Sequence, residues 1–185
     1  MGIISVLIIF VCICVDNMVS ANMSAMKLTS DNRSVFSIKM ALFFAGFNAL
    51  FFGLGYLISI LFFRNWVYLA HNWVAFAFLL LLGIKFMLES IEKSPSFNSV
   101  DTDNTGKLFK VSMLIAMNSF LVGYAAETMD ASCFPALIFL ALITFGMTLL
   151  GFHLGRPTSK TIASKKVELI AGVILIVMAV RMIIV

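Results

Sequence analysis

Apolar residues run almost unbroken through six segments, covering residues 3–24, 36–63, 67–90, 108–126, 132–153 and 166–185. At about 20 residues each, these segments are long enough to cross ~30 Å of hydrocarbon as helices. The pattern predicts an all-α membrane protein of six transmembrane helices. Between them lie a polar loop at 25–35, a tight hairpin at Arg64-Asn65-Trp66, and a long polar stretch at 91–107. A short acidic turn holds Glu127 and Asp130, and a basic loop runs from Arg156 to Lys166. No soluble domain fits in any of these, so residues 1–185 read as one transmembrane domain. The first segment has no basic region before it, contains Asp16 and Asn17, and ends in no small-residue cleavage site. A removed signal peptide is therefore not expected.

Basic residues set the expected orientation. Lys27, Arg33 and Lys39 flank the first loop, Lys93, Lys107 and Lys110 the third, and Arg156, Lys160, Lys165 and Lys166 the fifth. The second loop has only Arg64, and the fourth has none. Cytoplasmic loops collect Lys and Arg, which places the odd loops inside and both termini outside the cytoplasm. Trp66 and Tyr68 then fall at the outer interface, where amphipathic rings belong.

A weak internal repeat underlies the six segments. Leu54-Gly55-Tyr56 matches Leu150-Gly151-Phe152 at an offset of 96, and Lys85-Phe86-Met87 matches Arg181-Met182-Ile183 at the same offset. Val15-Asp16-Asn17 pairs with Met117-Asn118-Ser119 at an offset of 102, the longer first loop absorbing the difference. The halves are residues 1–91 and 108–185, joined by a cytoplasmic loop at 92–107. Three helices per half oblige the second half to insert upside down, so the expected architecture is two inverted three-helix repeats.

Composition agrees with a lipid environment. The chain is 62% hydrophobic and 12% charged, where an ordinary soluble domain carries about 25% charged residues. The net charge of +4 reflects basic loops and no nucleic-acid patch. Cys12, Cys14 and Cys133 all sit in apolar stretches and form no disulfide framework.

Against this background the polar residues inside the segments carry the chemistry. An aspartate at a helix centre costs roughly 2.5–3.5 kcal/mol on insertion scales, so Asp16 should face the bundle interior with a partner or a function. Asn118 is its repeat equivalent, and Asn48 and Thr144 are equivalent near midspan. Secondary transporters hold substrate at such a midplane repeat interface. Asp16, Asn118, Asn48, Asn17 and Ser119 offer the hard oxygen atoms that suit Mg²⁺, Ca²⁺ or Mn²⁺, although hydrogen bonding between helices also accounts for the amides. Cys12 and Cys14 read as packing. Lys85 and Arg181 read as side chains that snorkel to the interface, and Glu168 as a first-turn complement to a helix dipole. His71 and His153 have no partner at ligand spacing. Asp101, Asp103, Thr105 and Gly106 mimic the start of a calcium loop, but the glutamate that closes such a loop would fall on Ser112. No nucleophile motif, phosphate-binding loop or His/Cys cluster is present, so no enzyme and no bound cofactor are expected.

Asn72-Trp73-Val74-Ala75-Phe76 with Leu82-Gly83, and Gly155-Arg156 followed by residues 165–172, carry a family resemblance. The chain resembles the bacterial manganese efflux pumps of the lysine-exporter superfamily over nearly its whole length. The resemblance implies a six-helix exporter in the bacterial plasma (inner) membrane with Mn²⁺ as substrate. It places Asp16 on the family's helix 1 aspartate, Asn118 on a second aspartate, and Asn48 on a frequent glutamate. His71-Asn72 falls on an Asn-His pair, which adds Asn72 to the candidate metal ligands. Two of three family carboxylates are thus amides here, and the site would carry at most one formal negative charge.

The expected function is secondary transport, exporting a divalent cation, Mn²⁺ first, through a midplane oxygen site. Its partners would be the metal ion and the lipid bilayer, with no nucleic acid and nothing that indicates an oligomer. A proton exchanged at Asp16 would drive export, and one repeat would rock against the other. The alternatives are export of another cation or small solute, and a membrane protein that keeps the fold without transporting.

Overall fold

The computed structural model describes residues 3–27, 33–63, 68–91, 105–129, 132–155 and 162–184. These form six long helices, and no strand occurs among the described residues. They are α1 (Ile3–Lys27), α2 (Arg33–Ile58), α3 (Tyr68–Ile91), α4 (Thr105–Thr128), α5 (Cys133–Leu154) and α6 (Ile162–Ile184). A single π turn, Ser59–Phe63, extends α2. Each helix coincides with one apolar segment to within a few residues. In lipid no water can satisfy a free backbone group, so an apolar run has to close its own hydrogen bonds as a helix.

Five of the six helices, α1 to α5, are long and apolar enough to cross a membrane, and the protein is a multi-pass membrane protein. α6 carries Lys165, Lys166 and Glu168 near one end and Arg181 near the other, leaving an uncharged stretch of only 12 residues between the last two. Pro135 stands in the first turn of α5, where its missing N–H would have had no helical partner. The α5 helix ends as the Gly155 N–H reaches back to the Gly151 carbonyl at 3.0 Å.

Helices α1 and α4 lie at the centre. Buried residues make up 67% of the α1 span and 61% of the α4 span, against 28%, 33% and 17% for α2, α3 and α5. The outer helices turn large apolar side chains such as Leu42, Leu57, Leu81 and Leu142 outward, which is where lipid would meet them. Ile9, Phe10, Ile13, Phe52, Leu79, Leu82 and Leu140 fill the main core, with the Phe10 ring edge-on to Phe52 at 5.5 Å.

The closest-packed helix pairs are α2 with α4, α3 with α6, and α1 with α5, followed by α2 with α5. Glycine makes all three of the closest approaches. A Cβ added at Gly55 would run into the backbone carbonyl of Phe120, and one at Gly151 into that of Met18. Small residues of this kind let helix backbones touch where lipid offers no hydrophobic push to bring them together. On the outer side, Gly83 of α3 and Gly172 of α6 face one another; a Cβ on Gly172 would lie 2.8 Å from the Gly83 carbonyl. Every one of the three closest pairs joins a helix of the first half to a helix of the second. The two halves of the chain therefore interlock through their closest helix contacts. The α3/α6 pair meets the four helices α1, α2, α4 and α5 mainly through α3 with α4 and α1 with α6, looser seams than the four close pairs, although α1 touches α2 and α4 still less.

Candidate functional site

The polar residues of α1 and α4 meet near midspan, where neighbouring positions on each helix point to different sides. This divides the candidate residues into two hydrogen-bonded clusters.

The first cluster faces α3. Asp16 is 2% exposed and Asn118 4%. Asn118 Nδ2 donates to Asp16 Oδ2 at 2.9 Å, and Lys85 Nζ donates to Asn118 Oδ1 at 2.9 Å. The same ammonium lies 3.9 Å from Asp16 Oδ2 and 3.5 Å from Glu89 Oε1. Lys85 therefore does not extend to the interface as the sequence suggested. The side chain turns toward midspan because a buried carboxylate offers its charge more than the helix end does. Arg181, 96 positions further on, is exposed.

The second cluster faces α2. Asn48 Nδ2 donates to Asn17 Oδ1 at 3.2 Å and to the Phe44 carbonyl at 2.7 Å, while Ser119 Oγ donates to Asn48 Oδ1. All three side chains are buried. Asn17 Nδ2 and Ser20 Oγ have no hydrogen-bond partner among the described residues. Positions 17 and 20 are one turn apart on the same face of α1. Each such buried, unmet polar group costs about 1–3 kcal/mol, so each calls for a specific partner or role. On a third side, Cys14 Sγ and Thr144 Oγ1 are 3.2 Å apart, consistent with a packing role for the cysteine.

Asn72 is not brought to either cluster. It is exposed, and 13 residues of α3 separate it from Lys85, about 20 Å of helix at 1.5 Å per residue. Two smaller readings also change. Glu127 belongs to the last turn of α4 and not to a loop; it is buried and accepts from Ser59 Oγ at 3.0 Å. Glu168 is buried in the second turn of α6, one turn later than expected, because the helix begins at Ile162. His153 is exposed in the last turn of α5. Asp130, the His71 side chain and the acidic residues Asp101 and Asp103 lie outside the described residues.

The hydrogen-bond chain through Asn48 makes a direct prediction. Asn48→Leu removes a donor and an acceptor at once and strands Ser119 and Asn17. It should destabilise the fold by about 1–3 kcal/mol. Thermal melting of the purified protein in detergent reads this as a lower midpoint, and an unchanged midpoint would contradict the cluster.

The family described as "Putative manganese efflux pump" matches residues 31–183. The chain belongs to this family. Among its curated relatives, a "Putative manganese efflux pump MntP" of Gloeothece citriformis is 25% identical over 145 residues, 78% of this chain and 76% of the relative. One of Acetivibrio thermocellus is 28% identical over 134 residues, covering 72% and 67%. "Putative manganese efflux pump MntP 2" of Clostridium botulinum is 26% identical over 194 aligned positions, covering 98% and 94%. No solved structure gives a significant match.

For a member of the manganese efflux family, the residue that reading the sequence missed is Lys85. The available signal was Lys85 and Glu89 together, opposite charges one turn apart in an otherwise apolar run. Charges so placed inside a spanning segment normally have partners.

Proposed function

We propose that the protein exports a divalent cation, with Mn²⁺ as the first candidate, from the cytoplasm across the bacterial plasma membrane by alternating access. The cation would rest between Asp16 and Asn118. One observation carries this reading: in a chain of the manganese efflux family, a buried carboxylate at midspan stands beside an amide oxygen, Asn118 Oδ1, that faces a cation. Ser20, one turn along α1 from Asp16 and with its Oγ unbonded among the described residues, would contribute a polar contact to a partly hydrated ion. Asn48 and Ser119 hold α2 against α1 and α4 behind that path. No nucleotide-binding motif is present in the sequence, so an ion gradient would drive export, and a proton is the counter-ion that Asp16 can itself carry.

The inverted repeat is part of the proposal. Gly55 against Phe120 and Gly151 against Met18 are contacts of one kind, each crossing from one half to the other, with the glycines 96 apart and their partners 102 apart. These offsets are the ones at which the sequence repeats. The helix pairs α2/α4 and α1/α5 likewise exchange when the halves are exchanged, as do the two central helices. Both termini would then lie outside the cytoplasm, with the 92–104 connection inside. Because the halves interlock, the moving parts would be the α3/α6 pair against the other four helices, not one repeat against the other.

Expression in a manganese-sensitive bacterial host tests the proposal. Wild type should restore growth at high Mn²⁺ and lower the manganese content of the cells. Failure of both would reject Mn²⁺ export. A second reading follows from the opposite charges of Asp16 and Lys85, which also suit a small zwitterionic solute. A tolerance panel of metals and amino acids separates the two.

A further inference from the structure

We propose that the Lys85 ammonium is a tethered cation that holds the position beside Asp16 and Asn118 until the transported cation displaces it, and that Glu89 then receives it. The inference rests on the reading that this protein moves a cation.

The geometry begins with one nitrogen and three oxygens. Asn118 Oδ1 at 2.9 Å, Asp16 Oδ2 at 3.9 Å and Glu89 Oε1 at 3.5 Å all surround Lys85 Nζ. The first two belong to buried side chains of the central helices, and they are the oxygen pair that an incoming metal ion would use. The third is on α3 itself, one turn beyond Lys85. A lysine is a compact charge on a flexible four-carbon stem, so the ammonium, already nearer Glu89 at 3.5 Å than Asp16 at 3.9 Å, can leave Asp16 and Asn118 and stay on Glu89 by rotating side-chain bonds alone. Neither end of that movement leaves it without a carboxylate.

Charge explains why such an arrangement serves an exporter. A buried aspartate without a counter-charge is strongly unfavourable. Lys85 supplies that counter-charge when it lies against Asp16, and the transported cation supplies it otherwise. The midspan carboxylate is therefore compensated at every stage. When Lys85 returns, it competes for the same oxygens and drives the cation off, which prevents a binding site from becoming a trap.

The position of α3 connects this exchange to movement. Lys85 belongs to the α3/α6 pair, and its ammonium reaches across the looser seam to α1 and α4. Displacing it breaks a charged contact between the two bodies. Cation binding thus changes the relative free energies of their arrangements, the requirement for a ligand to shift a conformational equilibrium. A lysine that only sought the interface would direct its nitrogen to the end of α3, and this one is hydrogen-bonded to a residue of the central helix α4.

The test uses the full-length protein in lipid nanodiscs, with Mn²⁺ binding measured by calorimetry, and flux measured in proteoliposomes. Lys85→Gln should bind Mn²⁺ at least ~10-fold more tightly, a change of about 1.4 kcal/mol, and should turn over more slowly because expulsion is lost. Lys85→Arg should stay within a few-fold of wild type in affinity. Glu89→Gln should bind more weakly, because Lys85 then stays on Asp16. Since the Glu89 side chain is 32% exposed, this variant carries the test even if Lys85→Gln does not fold. Wild type that binds and moves Mn²⁺, with Lys85→Gln no tighter or Glu89→Gln no weaker, overturns the tether alone. Wild type that neither binds nor moves Mn²⁺ overturns the transport reading as well.

Discussion

Asp16→Ala in a manganese-sensitive host should reduce tolerance to that of cells without the protein, with export down by about 100-fold. Truncating one member of a buried charged cluster commonly costs 2–5 kcal/mol of interaction, and ~2.7 kcal/mol corresponds to that factor. The protein itself should still reach the membrane in normal amount. Removing Asp16 leaves Lys85 with Glu89 at 3.5 Å and with the Asn118 oxygen at 2.9 Å, so no isolated charge is left in the interior. Loss of function with an intact fold is the expected pair of results, read as cell manganese and as membrane-protein level. Asp16→Asn should behave similarly in export while keeping a hydrogen bond to Asn118. If Asp16→Ala exports as wild type does, the carboxylate is not a ligand.

The second large effect falls on the fold. Gly151→Val and Gly55→Val each place a side chain against a backbone carbonyl of a neighbouring helix, Met18 in one case and Phe120 in the other. Backbone cannot swing aside as a side-chain tip can, so the helices must separate along their whole seam. Overpacking of a core typically costs 1–3 kcal/mol, and this geometry lies at or beyond the upper end of that ~3 kcal/mol range. Both variants should give little monodisperse protein on size-exclusion chromatography, and to a similar degree if the two seams are repeats of one contact. Gly46→Ala and Gly146→Ala provide the control, since nothing lies within 4 Å of a Cβ at either position. Alanine favours a helix over glycine by about 1 kcal/mol, so these two should melt at or above the wild-type temperature. If all four variants behave alike, close backbone approach does not hold this bundle together.

Much of the site could be read before the structure because lipid makes polar residues conspicuous. In a soluble protein Asn48, Ser119 and Asn118 would be unremarkable. Inside apolar runs each had to be buried among helices, and each is. Asp16 paired with Asn118 follows from the same logic, together with their equivalence in the repeat. What could not be read was how these residues divide. Asp16 and Asn17 are neighbours in sequence, yet one faces α3 and the other α2, so a single set of ligands became two clusters. Asn72 looked like a ligand by family resemblance alone, and it is about 20 Å of helix away from Lys85. Lys85 looked like an anchor because its position near a helix end is compatible with snorkelling. Only the presence of Asp16 across the seam decides otherwise.

Local sequence by itself determined the number of helices, their limits to within a few residues and, for five of them, a length and apolarity sufficient to cross a membrane. The reason is that the bilayer imposes one backbone solution on every long apolar run, and no tertiary contact is needed to choose it. The sequence also pointed to the burial of Asp16, Asn17, Asn48, Asn118 and Ser119, since the cost of a polar group in lipid depends on the residue and its depth. The tertiary structure decided which helices touch, and with that it interlocked the two halves and set the α3/α6 pair apart. It decided, too, that an ammonium 69 positions along the chain from Asp16 should neutralise it. Pairings of this kind depend on glycine-permitted approach distances and helix rotation, which no one-dimensional pattern carries.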